Sequence, residues 1–373
     1  MDFNLSEQQK MLQRMAEEFA TDAVKPRAAD IDSKSQFPFD LAKEIGKQGY
    51  QGLPYPARYG GSEAGYLSYA LVLEQLCQAS MTVGAIMAIN TVPEEAIFRF
   101  GTEGQKKRLL APLAQGDMLG SIAFTEAETG SDPQAITTVA RKSGDGYVIT
   151  GQKQFVALAP AANLALVFAK REGKGLNAFI IDTASQGYNL REPCQTMGLK
   201  GLGTSVVYLD EVFVPKQNLL GEEGRGFDIL REAISLGRLG VAVEAVAVAQ
   251  AALEIAIDYA RQRKASGKPI AKLPAIQWHL AEMASRIEAG RLLIYRTAFL
   301  RDQGLDIKYE SSLAKLFTSQ MAVEVTRMAM QVGGSYGTMT TMPLERLYRD
   351  AKMTEIYVGV SEIQRNIIAD HLI

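Results

Sequence analysis

The sequence predicts an α+β chain in which a β domain is inserted between two helical regions, on three observations. The first hundred or so residues carry helix-start signals and helical periodicity, the middle is a series of short apolar runs cut by turns, and the remainder returns to long apolar helices. The boundaries fall at 1–118, 119–226 and 227–373. A chain of 373 residues exceeds the usual single core, so packed subdomains sharing a large interior are expected.

In the first region, Ser6 and Gln9 are spaced for a capping box, with Met11, Leu12, Met15 and Phe19 following on one face. Pro38, Gly60-Gly61 and Gly101-Thr102 divide the helical pattern, and Thr102 and Gln105 repeat the capping-box spacing before Leu109 and Leu110. In the middle, Val148–Thr150, Leu164–Phe168, Ala178–Ile181 and Val206–Leu209 read as strands. Gly144-Asp145-Gly146 reads as a hairpin turn, where glycine admits positive φ. After Gly224-Arg225-Gly226, helices are predicted at about 228–263, 272–302 and 308–332, then a shorter one and a terminal helix from about 353, packed as an up-down bundle.

With 22% charged residues and a net charge of -2, no strong field gathers nucleic acid or anionic lipid, which leaves small-molecule enzymes and oligomer subunits. Cys77 and Cys194 are far apart, with no CxxC and no His-rich neighbour, so neither a disulfide framework nor a metal site is encoded. The start Met1-Asp2-Phe3-Asn4-Leu5 has no charged and apolar leader pattern, and no uninterrupted apolar run reaches about 18 residues. A cytoplasmic protein with no membrane partner is the expectation.

Local motifs then carry a resemblance. Phe124-Thr125-Glu126 followed by Gly130-Ser131-Asp132 resembles the LTEPxAGSD segment of the acyl-CoA dehydrogenase family, and Gly151-Gln152-Lys153 its GxK strand. Arg349-Asp350-Ala351-Lys352 through Ser361-Glu362-Ile363-Gln364-Arg365 resembles its RDAKITEIYEGTSEIQR signature, and the likeness extends over the whole chain, nearest to the short-chain, butyryl-CoA-like branch. The resemblance implies the family fold: an N-terminal helical domain, a middle β-barrel-like or sandwich domain and a C-terminal bundle. It also implies FAD as cofactor, an acyl-CoA thioester as substrate, an electron-transfer flavoprotein as electron partner and a tetramer or dimer of identical chains.

Carried over position by position, the resemblance places Phe124, Thr125, Ser131, Phe155, Val156, Ala157, Val360 and Glu362 around FAD. It places Arg263 on FAD phosphate across a subunit interface, and Gln331, Gly334 and Ser335 in the QxxGG loop beside the diphosphate. Guanidinium-to-phosphate bonds suit Arg263. Ser131, Arg238, Glu244, Thr354 and Gly359 fall to the substrate side.

The departures matter more. The family's glutamate, which removes the α-proton of the thioester, is Val358 here, and valine neither accepts nor donates a proton. A second lineage carries its base immediately before the arginine of an earlier helix, and that position is Gly237. The family's tryptophan-isoleucine-threonine beside the flavin is Phe155-Val156-Ala157, without the threonine hydroxyl. Further along, Arg263-Lys264-Ala265-Ser266-Gly267 and Leu273-Pro274 replace RxxFG and FQ, and Val360 replaces a threonine.

Glu244 is the candidate substitute base. It stands seven residues after Gly237, on nearly the same helix face and about 10 Å along the axis. Three readings stay open for it: a pocket-floor residue limiting acyl length with Thr354 opposite, a partner for a polar or cationic acyl tail, or a relocated base. Glu126 and Glu355 read as structural, and His279 and His371 as surface groups.

These features predict an FAD-dependent oxidoreductase acting on a short-chain acyl-CoA or enoyl-CoA with an altered site. The alternative is an FAD-poor family member, either eliminating or decarboxylating an acyl-CoA or serving as the non-catalytic subunit of a heteromer.

Overall fold

In the computed structural model, which describes residues 4–373, helices come first: α1 Glu7–Phe19, α2 Ala28–Lys34, α3 Phe39–Lys47, α4 Gly65–Ala79, α5 Met81–Phe100, α6 Glu103–Gln105 and α7 Ala111–Ala114. Met1-Asp2-Phe3, on which part of the leader reading rests, lie outside the described residues. Both capping boxes form. Gln9 N–H donates to Ser6 Oγ at 3.2 Å while Ser6 N–H donates to Gln9 Oε1 at 2.9 Å, and Thr102 and Gln105 reproduce the same pair of bonds. Each box satisfies two amide donors that a helix start otherwise leaves open.

The middle of the chain forms one sheet from β1 Gly120–Ala123, β2 Val139–Ser143, β3 Gly146–Val156, β4 Leu164–Arg171, β5 Gly175–Asp182, β6 Tyr188–Leu190, β7 Ser205–Pro215 and β8 Leu219–Leu220. Its order is β6-β7-β3-β2-β4-β5-β8, with β1 parallel to β4. The tight turn between β2 and β3 lies where it was read, with Gly144 at φ 56° and Ser143 paired with Gly146.

Strand β4 shows how the sheet joins the rest. Leu164, Leu166 and Phe168 pack with Val92, Ala96 and Ile97 of α5, while the alternate Ala165, Val167 and Ala169 pack within the β domain against Ile149, Phe179 and Val207. A continuous apolar run is what a strand covered on both faces requires.

The third region holds α8 Gly226–Gln262, α9 Pro274–Asp302, α10 Lys308–Gly333, α11 Leu344–Thr354 and α12 Ser361–Leu372. Helix α8 is long and apolar enough to cross a membrane by composition, but most of that apolar stretch is buried inside the protein, as its place at the centre of the bundle demands. One sequence expectation is corrected: the terminal helix begins at Ser361, not near 353. Helix α11 runs through to Thr354, and the chain then turns through Val358 at φ 57° and Gly359 at φ 95°, conformations that no helix continues through.

Buried charge fastens the helices together. Arg301 of α9 pairs with Glu95 of α5 and with Glu232 of α8 at 2.5 Å, while Arg99 and the Tyr66 hydroxyl also reach Glu95. Burial opposes the charge on Arg301, and Glu95 with Tyr66 and Glu232 outweighs it, raising its pKa. A desolvated carboxylate of this kind is tolerated only while its cations stay in place.

Candidate active site

The turn between α11 and α12 meets α8 at the two positions where a proton-transferring glutamate could have stood. A Cβ built on Gly237 would stand 3.0 Å from Val358 Cγ1 and 3.2 Å from Val92 Cγ2 of α5. Val358 thus closes against the bare backbone of Gly237 and packs into the same apolar cluster as Val92 and Ile234. Neither position offers a proton acceptor.

The turn itself is held firmly. Gly359 O accepts from Lys315 Nζ of α10 and, at 2.8 Å, from Gln364 Nε2 of α12. A β-branched residue at positive φ is strained, and such a conformation persists only where the surroundings over-determine it. The two donors on one carbonyl, one on each side of the turn, supply that determination.

Cations border the same place. Arg238 is 6% exposed, with Nε and one terminal nitrogen lacking a hydrogen-bond partner among the described residues. Burial lowers its pKa to about 10. Lys315 is lowered to about 7, by burial first and then by the neighbouring Arg238, against the opposing pull of Glu244 and Glu355. A buried lysine held on Gly359 O and a desolvated guanidinium next to the turn can stabilise negative charge.

Helix periodicity puts Gly237, Gly240 and Glu244 on one face of α8. A Cβ on Gly240 would meet the Tyr69 hydroxyl of α4 at 3.1 Å and Ala88 of α5 at 3.3 Å. One turn further, Glu244 is fully buried, and both its carboxyl oxygens lack a partner among the described residues, as does the Tyr69 hydroxyl. Burial raises the Glu244 pKa well above the usual carboxylate range, Lys315 pulls it down and Asp350 pushes it up. Thr354, placed opposite Glu244 by the sequence reading, is buried but spends its hydroxyl on Ala351 O within its own helix.

The other residues singled out from sequence fall into three groups. Glu126 is structural: its carboxylate accepts from Lys153 Nζ at 2.7 Å and from the amides and hydroxyls of Thr137 and Thr138. Burial would raise its pKa, and those donors outweigh it, taking it to about 2. This cluster fixes the strand edge near Phe124 and Thr125, whose carbonyls accept from Lys153 Nζ and from Gln154 N–H, and the neighbouring Ser131 is exposed on the loop beyond.

On β3, the pairing with β7 shifts register between Lys153 and Val156, and the bulge turns Phe155 outward at φ 53° and 66% exposure. Val156 points the other way into the sheet core and Ala157 packs against the helical core, so only Phe155 of the three presents a large side chain outward. At the far end of the bundle, Arg263 caps α8, and its guanidinium is exposed with no ion pair among the described residues. Gln331, Gly334 and Ser335 are exposed at the end of α10, and the ring of Tyr336 lies 6.2 Å from Tyr259, one helical turn before Arg263. The structure therefore brings the Arg263 end and the glycine loop side by side. Val360 is the N-cap of α12 without a side-chain capping bond, and Glu362 is exposed in its first turn.

Sequence reasoning missed Tyr69, Val92 and Lys315. Only Lys315 carried a signal: it lies on the buried face of α10 with Ser311, Ser319 and Ala322, where a lysine is unusual. Tyr69 and Val92 lie on uniformly apolar helices whose periodicity singles out no residue.

Comparison with known proteins identifies the family. Profiles described as the N-terminal, middle and C-terminal domains of acyl-CoA dehydrogenase match residues 6–117, 121–212 and 224–373. An acyl-CoA dehydrogenase of Bacillus subtilis (strain 168) is 40% identical over 99% of both chains. A 3-(aryl)acrylate reductase of Clostridium sporogenes (strain ATCC 15579) is 36% identical over 99% of both. The structure of butyryl-CoA dehydrogenase from Megasphaera elsdenii superposes with a TM-score of 0.98 at 34% identity, covering all of both chains. The chain belongs to the acyl-CoA dehydrogenase family of flavin-dependent oxidoreductases, and it is similar to the family's short-chain, butyryl-CoA members.

Proposed function

We propose that this protein is an FAD-dependent oxidoreductase of short-chain acyl or enoyl thioesters that works without a side-chain base at the α-carbon, in the enoyl-reducing direction. The observation that carries the reading is the closure of Val358 against Gly237, which fills both base positions with apolar atoms.

The residues present fit FAD. The exposed Arg263, without an ion pair among the described residues, and the adjacent Gln331–Ser335 loop would hold its diphosphate, with a neighbouring copy of the chain completing the site, and the outward Phe155 would cover its ring system. No hydroxyl at Ala157 is available to bond it, so its grip rests on the diphosphate end and on Phe155. When bound, FAD accepts or supplies hydride.

Oxidation of an acyl thioester begins with removal of an α-proton, and a positioned base is worth about 10²–10⁴ in rate. Addition of hydride at the β-carbon of an enoyl thioester delivers the electron pair first, and water can then protonate the α-carbon. Arg238 and Lys315 favour the negative charge that precedes that protonation. The similarity to a 3-(aryl)acrylate reductase supports the direction.

The test is anaerobic visible spectroscopy of the purified protein. Reduced flavin reoxidised by crotonyl-CoA, with oxidised flavin left unbleached by butyryl-CoA, is the expected result. Rapid bleaching by butyryl-CoA would refute the reading. Silence toward both thioesters would point to elimination or decarboxylation, and a colourless protein to a partner subunit.

A further inference from the structure

The turn from Glu355 to Val360 is slung between two anchored helices. Before it, α11 is fastened across the chain: Arg349 Nη1 and Nη2 donate to the Asp32 carboxylate at 2.9 and 2.6 Å, and the Leu199 amide donates to Asp350 Oδ1 at 2.7 Å. After it, the first residue of α12 is tied back, with the Ser361 amide donating to Glu355 O at 3.1 Å. Between the two helices Val358 and Gly359 both take positive φ, and valine does not adopt that conformation by its own preference.

Two buried side chains from different helices converge on one carbonyl of this turn. Lys315 of α10 is 1% exposed, makes no ion pair among the described residues, and has Gly359 O as its one hydrogen-bond acceptor there. The hydroxyls around it on α10 are engaged on their own helix: Ser311 and Ser312 donate to Lys308 O, Thr318 to Ala314 O and Ser319 to Leu316 O. A desolvated ammonium without a paired carboxylate is costly, and an apolar side chain would fill the same space without that cost. What the lysine adds is its bond to the turn. Gln364 of α12, fully buried, donates to the same oxygen at 2.8 Å. A Cβ on residue 359 would stand 2.9 Å from Gln364 Nε2, so glycine is required there both by its φ of 95° and by that approach.

On this geometry, and resting on the thioester reading above, we propose that Lys315 and Gln364 are positioning residues of the active site: gripping Gly359 O from two helices, they hold position 358 in the left-handed conformation that sets its side chain against Gly237, where the thioester α-carbon reacts. The alternative backbone is well defined. At the ordinary negative φ the 358 side chain rotates by roughly 120° about its N–Cα bond, away from Gly237, and the contact of Val358 Cγ1 at 3.0 Å from a Cβ on Gly237 is lost. Both residues act through the turn, so a neutral amide at 364 matters to the reaction as the charged amine at 315 does.

The experiment compares the purified flavoprotein with K315M, K315R, Q364M and the double variant K315M/Q364M by two measurements. The first is reoxidation of the reduced flavin by crotonyl-CoA over a range of concentrations. Misplacement at a reacting centre lowers rates by up to about 10²-fold, so K315M and Q364M should each lower the limiting rate by about tenfold or more, with the half-saturating thioester concentration held within about twofold. K315R, which keeps the charge and the donors, should retain most of the rate. Because the strained turn needs both bonds, the double variant should be no slower than the slower single one. The second measurement is backbone hydrogen exchange read by mass spectrometry: exchange over 355–361 should quicken in K315M and Q364M, while the amides of α10 exchange as in the wild type. An unchanged limiting rate in Q364M, losses that multiply in the double variant, or unchanged exchange over 355–361 would overturn the proposal. A wild-type protein that is colourless or indifferent to crotonyl-CoA would instead overturn the thioester reading, and the exchange result then decides alone whether the two side chains hold the turn. Should K315M not fold, Q364M decides by both measurements.

Discussion

Val358 Cγ1 stands 3.0 Å from the position that a Cβ on Gly237 would occupy, so the two positions from which the proposed reading would draw a base adjoin in space. A single apolar contact removes both. The relationship also says which reversal is sterically easy, because Gly237 leaves room for a side chain on Val358 but not the converse.

V358E should therefore install a base. The backbone there already holds positive φ, and an unbranched residue tolerates that conformation better than valine does. Butyryl-CoA oxidation, followed as anaerobic flavin bleaching, should rise by about 10²-fold or more.

At Gly237 the opposite holds. A Cβ at 3.0 Å from Val358 and 3.2 Å from Val92 forces neighbours apart, so G237A should cost about 1–3 kcal/mol despite alanine's better helix propensity. Shortening the opposing side chain should restore most of the loss, so a double-mutant cycle of G237A with V358A, read by urea unfolding, should show a favourable coupling. Additive effects would contradict the contact.

Glu126 makes an acid-labile contribution. Its pKa falls from 4.5 to about 2 on folding, so its stabilisation is complete above the unfolded value and is lost as pH falls through 4.5 toward 2. Between pH 7 and pH 3 this group alone accounts for about 2 kcal/mol. Denaturant melts at the two pH values should show a smaller pH-dependent loss in E126Q than in the wild type, whatever its stability at pH 7.

The start of α12 lacks a cap. Val360 has the extended backbone of an N-cap residue, φ -58° and ψ 159°, but no side-chain acceptor for the first-turn amides. V360T should supply one to the Glu362 amide, a first-turn donor without an acceptor among the described residues, and stabilise the protein by about 1 kcal/mol, measured by denaturant unfolding.

Much of this was legible because its causes are local. The capping boxes at Ser6 and Thr102, the turn at Gly144 and the apolar run of β4 follow from neighbours a few residues apart. The turn at 355–360 was not legible: valine at positive φ contradicts its own propensity, and Lys315, 44 residues away, and Gln364 hold it there. Valine at 358 was visible as a substitution, yet its closure against Gly237 required the packing of two separate helices, α5 and α8, and a turn. Glu244 was visible as a candidate, but its full burial without a hydrogen-bond partner among the described residues belongs to tertiary structure.

The measurement that bears most directly on the central claim is exchange of the α-protons of bound butyryl-CoA with D2O, followed by NMR under anaerobic conditions. Exchange no faster than in solution for the wild type, with clear acceleration in V358E, is the result this structure predicts. Rapid exchange in the wild type that disappears in E244Q would contradict it, by showing that Glu244 reaches the α-carbon and serves as the base.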